Sequence, residues 1–357
     1  MPSPATPRAW RPRRLLITRA ARGFAHGRAM AERAAALGVE VVELAGDRLN
    51  LALPDDPRRA YAEAKQTLAV VVAPPSKRRF QPIPPSADWR VDLAQGCPAH
   101  CSYCYLAGSL SGPPITRAYA NLDEITAAIP AHVGEGTITS RSTARAHEGT
   151  TFEASCYTDP LAVEPITGSL AALIGWFGDT NLEASLRFTS KFANVEPFLG
   201  LAHRGRTRMR VSLNPPLYAR YEGGTAHVAD RLVAMRRMAD AGYPIGLTIA
   251  PIIAAEGWQE AYGALIADVA AALDGAGAVD LTVELITHRF TDSSKAVLDS
   301  WYPGSGLDMT GANRAEKRTK FGTSKQVYDA PTMKALKAFF YDTIGRELPA
   351  ARILYWT

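Results

Sequence analysis

Between residues 185 and 288 the chain alternates polar and apolar positions with period two, the spacing of a strand with two unlike faces. In Ser185–Lys191, Arg187, Thr189 and Lys191 share one parity, and Leu186 and Phe188 hold the other. Arg208, Arg210, Ser212 and Asn214 likewise oppose Met209, Val211 and Leu213. Gly246, Thr248 and Ala250 oppose Ile245, Leu247 and Ile249, and Thr282, Glu284 and His288 oppose Leu281, Val283 and Leu285. With Val91–Gly96 and Thr151–Cys156 these segments make about six predicted strands. Helical patterns separate them, most clearly at Val228–Ala241 and Trp258–Leu273. Such alternation predicts parallel strands. A closed barrel fills its interior with bulky branched side chains. A polar or small inner parity instead predicts a partial (β/α) barrel whose inner wall lines a ligand cavity. The alternative is a sheet with one solvated face, which helical crossovers disfavour because they bury both faces.

Cys156 breaks the pattern. It shares parity with Phe152 and Ala154, so either the parity flips or a bulge intervenes before it.

The first hundred residues alternate on a smaller scale. Strand-like Leu15–Thr18, Val39–Leu44 and Leu68–Val72 flank helical runs at Arg28–Leu37 and Pro57–Thr67. A connector rich in Pro, Lys and Arg, residues 74–85, closes this small N-terminal α/β module. The expected organisation is α/β: a module with a basic arm over residues 1–85, then the partial barrel over 86–357. A basic, loop-like stretch from Asn313 to Lys325 and a last helix from about Pro331 to Gly345 complete the chain.

Composition changes this picture little. Of 357 residues, 47% are hydrophobic and 21% charged, as in globular proteins. No run of apolar residues reaches the length of a membrane-spanning helix. The formal charge of +5 permits a polyanionic partner without requiring one. The Arg-rich start carries no acid before Glu32, as transit peptides do, yet it runs straight into a strand, which favours a solvated basic arm. Four cysteines are too sparse for a disulfide scaffold, so a reduced, cytoplasmic protein is expected.

Three of those cysteines carry chemistry. Cys97, Cys101 and Cys104 fall in one loop directly after a predicted strand, spaced CxxxCxxC. Three thiolates so spaced can hold three corners of a cubane iron–sulfur cluster. The fourth iron is then free to chelate the amino and carboxylate groups of S-adenosylmethionine, and electron transfer into the sulfonium releases a 5′-deoxyadenosyl radical. A zinc site built from the same cysteines with His100 or Cys156 is the alternative, although the second short ligand arm usual in zinc sites is missing. Three unrelated buried thiols are the other.

The run Gly-Cys-Pro-Ala-His-Cys-Ser-Tyr-Cys-Tyr-Leu (96–106) resembles the radical SAM superfamily, and with Phe152-Glu153-Ala154-Ser155-Cys156 it resembles the spore photoproduct lyase family within it. Arg187–Lys191, Arg210–Asn214, Ala250-Pro251-Ile252, Glu256-Gly257-Trp258 and Glu284–Phe290 match in order, and the likeness extends from about Leu15 to Thr357. The resemblance implies a [4Fe–4S] cluster on Cys97, Cys101 and Cys104, S-adenosylmethionine as cofactor, and repair of a methylene-bridged thymine dimer in DNA. It implies Cys156 as the hydrogen donor to the product radical, with Tyr103 and Tyr105 relaying a hydrogen back to the cofactor. For the cofactor it points to Tyr103, Tyr105, Thr158, Lys191, Ser212 and Ala250; the Gly-Gly-Glu turn of many superfamily members is absent. A small electron donor such as a flavodoxin or ferredoxin is implied as well.

For DNA, Arg141, Arg145, Arg289, Lys317, Arg318, Lys320 and Lys325 are expected in loops near the barrel mouth, to neutralise phosphates around a flipped-out lesion. His288, Arg289, Lys320 and Phe321 are the expected substrate contacts. The family has Arg-Tyr where this chain has Lys320-Phe321, which removes a bidentate fork and a hydroxyl. The alternatives are a radical enzyme acting on another nucleic-acid lesion or base, and a non-catalytic metal-bearing nucleic-acid-binding protein. The isolated Cys156 and the missing second metal arm favour an enzyme.

Overall fold

The structure, a computed structural model, describes residues 9–108, 114–311, 313–318 and 324–357. Two curled sheets share the chain. The smaller is ordered β2 (Glu40–Glu43), β1 (Arg14–Ile17), β3 (Thr67–Val71), β8 (Thr116–Tyr119), β6 (Ala94–Gln95). Leu15, Leu68 and Val70 have no exposed surface and pack with Met30 and Ala34 of α2 (Ala25–Ala36). Two of its five strands come from beyond residue 85, while β4 (Gln81–Ile83), inside the connector, forms the antiparallel edge of the larger sheet. The two units therefore interlock.

The larger sheet runs β17 (Arg352–Trp356), β14 (Leu281–Thr287), β13 (Ile245–Ile252), β11 (Thr207–Leu213), β10 (Ala184–Ser190), β9 (Thr150–Ala154), β5 (Ala87–Val91), β4. All neighbours from β5 to β17 are parallel. Five of the six predicted strands lie where expected. The first does not: the barrel strand is Ala87–Val91, so only Val91 of the predicted Val91–Gly96 belongs to it, and Ala94–Gln95 joins the smaller sheet as β6. The terminal β17 adds a seventh parallel strand, which sequence periodicity did not single out. Among the described residues no single helix is long and apolar enough to cross a membrane. The most apolar pair, α5 (Pro160–Thr167) and α6 (Ser169–Asp179), bends by 96° and packs against the sheet. Gly168, at φ 60°, makes that bend by ending α5 in the left-handed region.

The parity reading holds. Leu186, Phe188, Met209, Val211, Leu213 and Ile249 join the apolar core, and Arg187, Arg210, Thr248 and Glu284 take the other face. That face does not simply line an open cavity. The lower barrel is plugged by a buried ion network. Arg187 and Arg210 each reach Glu284 at 2.5 Å, and Glu153 pairs with Arg210 while Arg187 lies 3.9 Å from it. Tyr355, from β17, donates to Glu284 at 3.0 Å. Gly246 makes room for this plug, since a Cβ there would sit 2.6 Å from Arg210 Cγ. Strand C-terminal ends are where barrels of this kind carry their chemistry, and only that upper end remains open to chemistry here.

Two further expectations change. Of the stretch from Asn313 to Lys325, the described residues are not loop-like: β15 (Arg314–Arg318) and β16 (Ser324–Tyr328) pair as an antiparallel hairpin, stitched just past the end of β14 by reciprocal backbone bonds between Phe290 and Gln326. Arg145 is not at the mouth. It is 5% exposed, pairs with Glu148 at 2.8 Å and donates to Ser86 carbonyl oxygen, beside the start of β5. Arg141 follows Ile138–Ser140, whose groups cap Asp88 at that same lower end.

Candidate active site

The cysteine loop leaves β5 and is pinned from three sides. Gly96, at φ 83°, donates to Tyr157 carbonyl oxygen at 3.0 Å, and a Cβ there would collide with the Ile115 carbonyl. β7 (His100–Cys101) pairs with β12 (Glu222–Gly223). Lys65, the last residue of α3 (Pro57–Lys65), reaches in and donates to the carbonyls of Cys97 and Ala99. Cys97, Cys101 and Cys104 line one pocket with Lys65, Leu106, Trp301 and Tyr302. Burial pushes all three thiols upward, Cys97 to about 12, with Lys65 opposing at Cys97 and Cys104. Such thiols ionise only when a metal centre takes them.

The donor set fits a cubane. Three soft sulfurs converge on a single pocket walled by Trp301 and Tyr302, and behind that wall Tyr61 hydrogen-bonds to Tyr302 and stacks on Trp301 at 4.7 Å. Among the described residues no three His, Cys, Asp or Glu side chains close around one metal ion, as zinc ligation at about 2.3 Å per sulfur would need. Two buried hydroxyls next to the loop lack partners: Thr158 Oγ1 and Ser102 Oγ. An orphaned buried hydroxyl is costly, and a polar cofactor group would satisfy Thr158.

The Cys156 question resolves at Ser155. Its φ of 54° lies in the left-handed region, so the alternation of β9 ends there, and Cys156 turns to the side of Glu153. Ser155 is locked, its N–H donating to Val91 and its Oγ accepting from Leu93 N–H at 2.9 Å. Burial, then the charges of Glu153 and Asp92, push the Cys156 thiol well up, so its S–H stays intact at neutral pH. Tyr105, 62% exposed, directs its hydroxyl to Cys156 carbonyl oxygen at 3.5 Å. Tyr103 is buried and donates to Glu222 instead.

Glu222 is the hub that the sequence did not reveal. Its carboxylate takes Lys191 Nζ at 2.7 Å, Arg231 at 2.7 Å and Asn214 Nδ2 at 3.0 Å, besides the Tyr103 phenol. Burial alone would raise this carboxyl, but Lys191 and Arg231 outweigh it and hold it at about 2. Lys191 also donates to Ala250 carbonyl oxygen at 3.0 Å. Its charge is thus paired within the protein, where the sequence reading had it free for a carboxylate. Asp159 holds it in place, accepting from Lys191 N–H at 2.7 Å and Ser190 Oγ at 2.8 Å. Ser212 lies in the inner parity of β11, its carbonyl accepting from Arg231. Glu222, Arg231, Asp159 and Lys65 escaped notice because each is a lone polar residue in a loop, in a helix's first turn or at an element's end, and Asn214 was placed on the inner face without a role. Only for Asn214 was there a signal, its polar parity at a strand end.

At the mouth, His288 is 1% exposed. Arg314 donates to its Nδ1 at 2.9 Å, which leaves Nε2 as the protonated nitrogen, buried and without a partner. Burial and then Arg314 push it down to about 3, so it stays neutral. Lys317 and Lys325 lie opposite each other in the hairpin. Burial, then Arg289 and Lys317, lower Lys325. Lys320 and Phe321 lie outside the described residues.

Comparison with known proteins agrees with this geometry. The sequence model of the spore photoproduct lyase family matches residues 10–357. The spore photoproduct lyase of Geobacillus sp. (strain Y412MC61) is 35% identical over 333 residues, 93% of this chain and 94% of that protein. The Bacillus subtilis (strain 168) enzyme of the same name is 36% identical over 298 residues, 83% and 84% of the two chains. A solved spore photoproduct lyase double mutant with bound AdoMet and dinucleoside spore photoproduct superimposes with a TM-score of 0.89 at 33% identity, covering 98% of this chain and all of its own. A second, complexed with the dinucleoside lesion, gives 0.88 at 33% over the same extent.

Proposed function

The chain belongs to the spore photoproduct lyase family, and from that membership we propose that it splits the methylene-bridged thymine dimer of damaged DNA back to two thymines. It is a radical SAM enzyme, with a [4Fe–4S] cluster and S-adenosylmethionine as cofactors. When bound, these supply a 5′-deoxyadenosyl radical that draws a hydrogen atom from the lesion.

Cys97, Cys101 and Cys104 hold the cluster. Thr158 offers its orphaned hydroxyl to the cofactor, and by family membership Lys191, Ser212 and Ala250 contribute the further contacts to it. Cys156 donates a hydrogen atom to the product radical, a role that an un-ionised thiol at a strand's C-terminal end suits. Tyr105, over the Cys156 backbone, is the first member of the return relay. Tyr103, whose phenol bonds to Glu222, is the second.

At the mouth, His288 presents an Nε2–H donor to a carbonyl of the flipped lesion. Lys317 facing Lys325 is unfavourable within a hairpin, and a polyanion relieves it; with Arg289 these charges hold DNA phosphates. Lys320 and Phe321 complete the lesion contacts, and a flavodoxin- or ferredoxin-type protein supplies the electron.

The observation that carries the reading is the left-handed Ser155, which ends the alternation of β9 just before Cys156, whose carbonyl oxygen Tyr105 of the cysteine loop reaches. The test is anaerobic reconstitution followed by S-adenosylmethionine, dithionite and dinucleoside spore photoproduct. Release of thymidine dinucleotide is expected. Cofactor cleavage without lesion repair would assign the chain to another lesion, and absence of both cluster absorbance and 5′-deoxyadenosine would end the radical reading.

A further inference from the structure

The small N-terminal module sends one side chain into the cysteine loop. Lys65 is 6% exposed. Its Nζ donates to the carbonyl oxygens of Cys97 at 2.7 Å and Ala99 at 2.6 Å, and lies 5.6 Å from the centre of the Tyr61 ring. The carboxylate nearest in sequence, Glu63, is taken by Arg14 at 2.8 Å. Among the described residues no ion pair includes Lys65. A buried ammonium facing only neutral carbonyls is electrostatically unbalanced. It lines the pocket of the three cysteine thiols, whose other wall is Trp301 and Tyr302, backed by Tyr61. In so dry and aromatic a setting a fixed charge acts strongly on its neighbours.

The group that would balance Lys65 is an anion in that pocket. A cubane held by three thiolates is a net anion, and one-electron reduction makes it more negative. We propose that Lys65 is a positioning residue which raises the reduction potential of the cluster through its fixed charge while clamping the start of the cysteine loop. The inference rests on the cluster reading above. It also gives the small module a part in the chemistry, since α3 delivers the charge.

The test uses Lys65→Met and Lys65→Gln, which remove the charge, and Lys65→Arg, which keeps it. Iron content and the midpoint potential, followed by electron paramagnetic resonance during a redox titration, are measured on anaerobically reconstituted full-length protein. Amide hydrogen exchange across residues 97–104 is measured on the cluster-free chain. The neutral variants are expected to exchange faster in that segment. Loaded with iron, they should show at least a tenfold lower ratio of reduced to oxidised cluster at a given potential, about 59 mV for a one-electron couple.

Full loading with an unmoved midpoint overturns the proposal. Should the neutral variants fail to retain iron, Lys65→Arg decides. Retention at an unchanged potential supports the charge role, and loss there too overturns it in favour of packing alone. An unsubstituted chain that takes up no cluster overturns the parent reading and this inference with it, so the two failures are distinguishable.

Discussion

Replacing Glu284 by Gln tests whether the plug inside the barrel is the source of stability that its geometry suggests. The network holds two carboxylates, Glu153 and Glu284, against two guanidinium groups, Arg187 and Arg210, and is neutral. Glu284→Gln preserves volume but leaves one positive charge in excess among side chains no more than 5% exposed. Breaking a buried pair by removing one partner costs about 3–5 kcal/mol. A second route gives a similar figure. Burial alone would raise the Glu284 carboxyl, yet Arg210 and Arg187 hold it at about 2 against an ordinary 4.5, which corresponds to about 3 kcal/mol. Because the folded value is the lower one, that contribution is complete above pH 4.5 and is lost as pH falls through about 2. Urea unfolding of wild type and variant should therefore differ by about 3 kcal/mol at pH 7. The difference should stay flat down to about pH 5.5 and narrow below about 4.5. Adding Arg187→Met restores neutrality, and the double variant should recover at least about 1 kcal/mol relative to the sum of the singles. A Glu284→Gln cost below about 1 kcal/mol at pH 7, or no coupling to Arg187, would show that the network does not stabilise the fold.

Other consequences are simpler to state. Cys156→Ala should leave cofactor cleavage intact while the substrate radical is quenched by external species; an unchanged product spectrum by liquid chromatography would remove Cys156 from the mechanism. Ser155→Val places a β-branched residue at φ 54° and deletes the acceptor for Leu93 N–H. It should cost about 2 kcal/mol or more in a melt and lower lesion turnover, whereas Ser155→Gly keeps the turn. Lys317→Gln with Lys325→Gln should weaken duplex binding and reduce the slope of log affinity against log salt by about 2, readable by fluorescence anisotropy at several salt concentrations. A slope unchanged from wild type would take the hairpin out of phosphate contact.

The cysteine spacing and the strand parities were legible because both are local. CxxxCxxC needs only a short loop to bring three sulfurs together, and period two assigns faces whatever the sheet's neighbours are. By itself the sequence therefore determined the alternating architecture, the inner face carrying Arg187, Arg210 and Glu284, and the cysteine loop after the first barrel strand. What each inner residue does there was decided by packing. Arg187 and Arg210 read as ligand-facing but are consumed by Glu153 and Glu284, because charges buried this deeply need partners within the protein. Arg145 read as a mouth cation and sits at the opposite end, since nothing local says at which rim a loop lies. The Cys156 facing turned on one dihedral angle at Ser155, which no pattern of side chains encodes. Glu222 and Lys65 joined the site only through tertiary contacts, β12 against β7 and α3 against the cysteine loop. Residues distant in sequence meet there because burying a charge demands a partner, and the fold alone chooses which one is within reach.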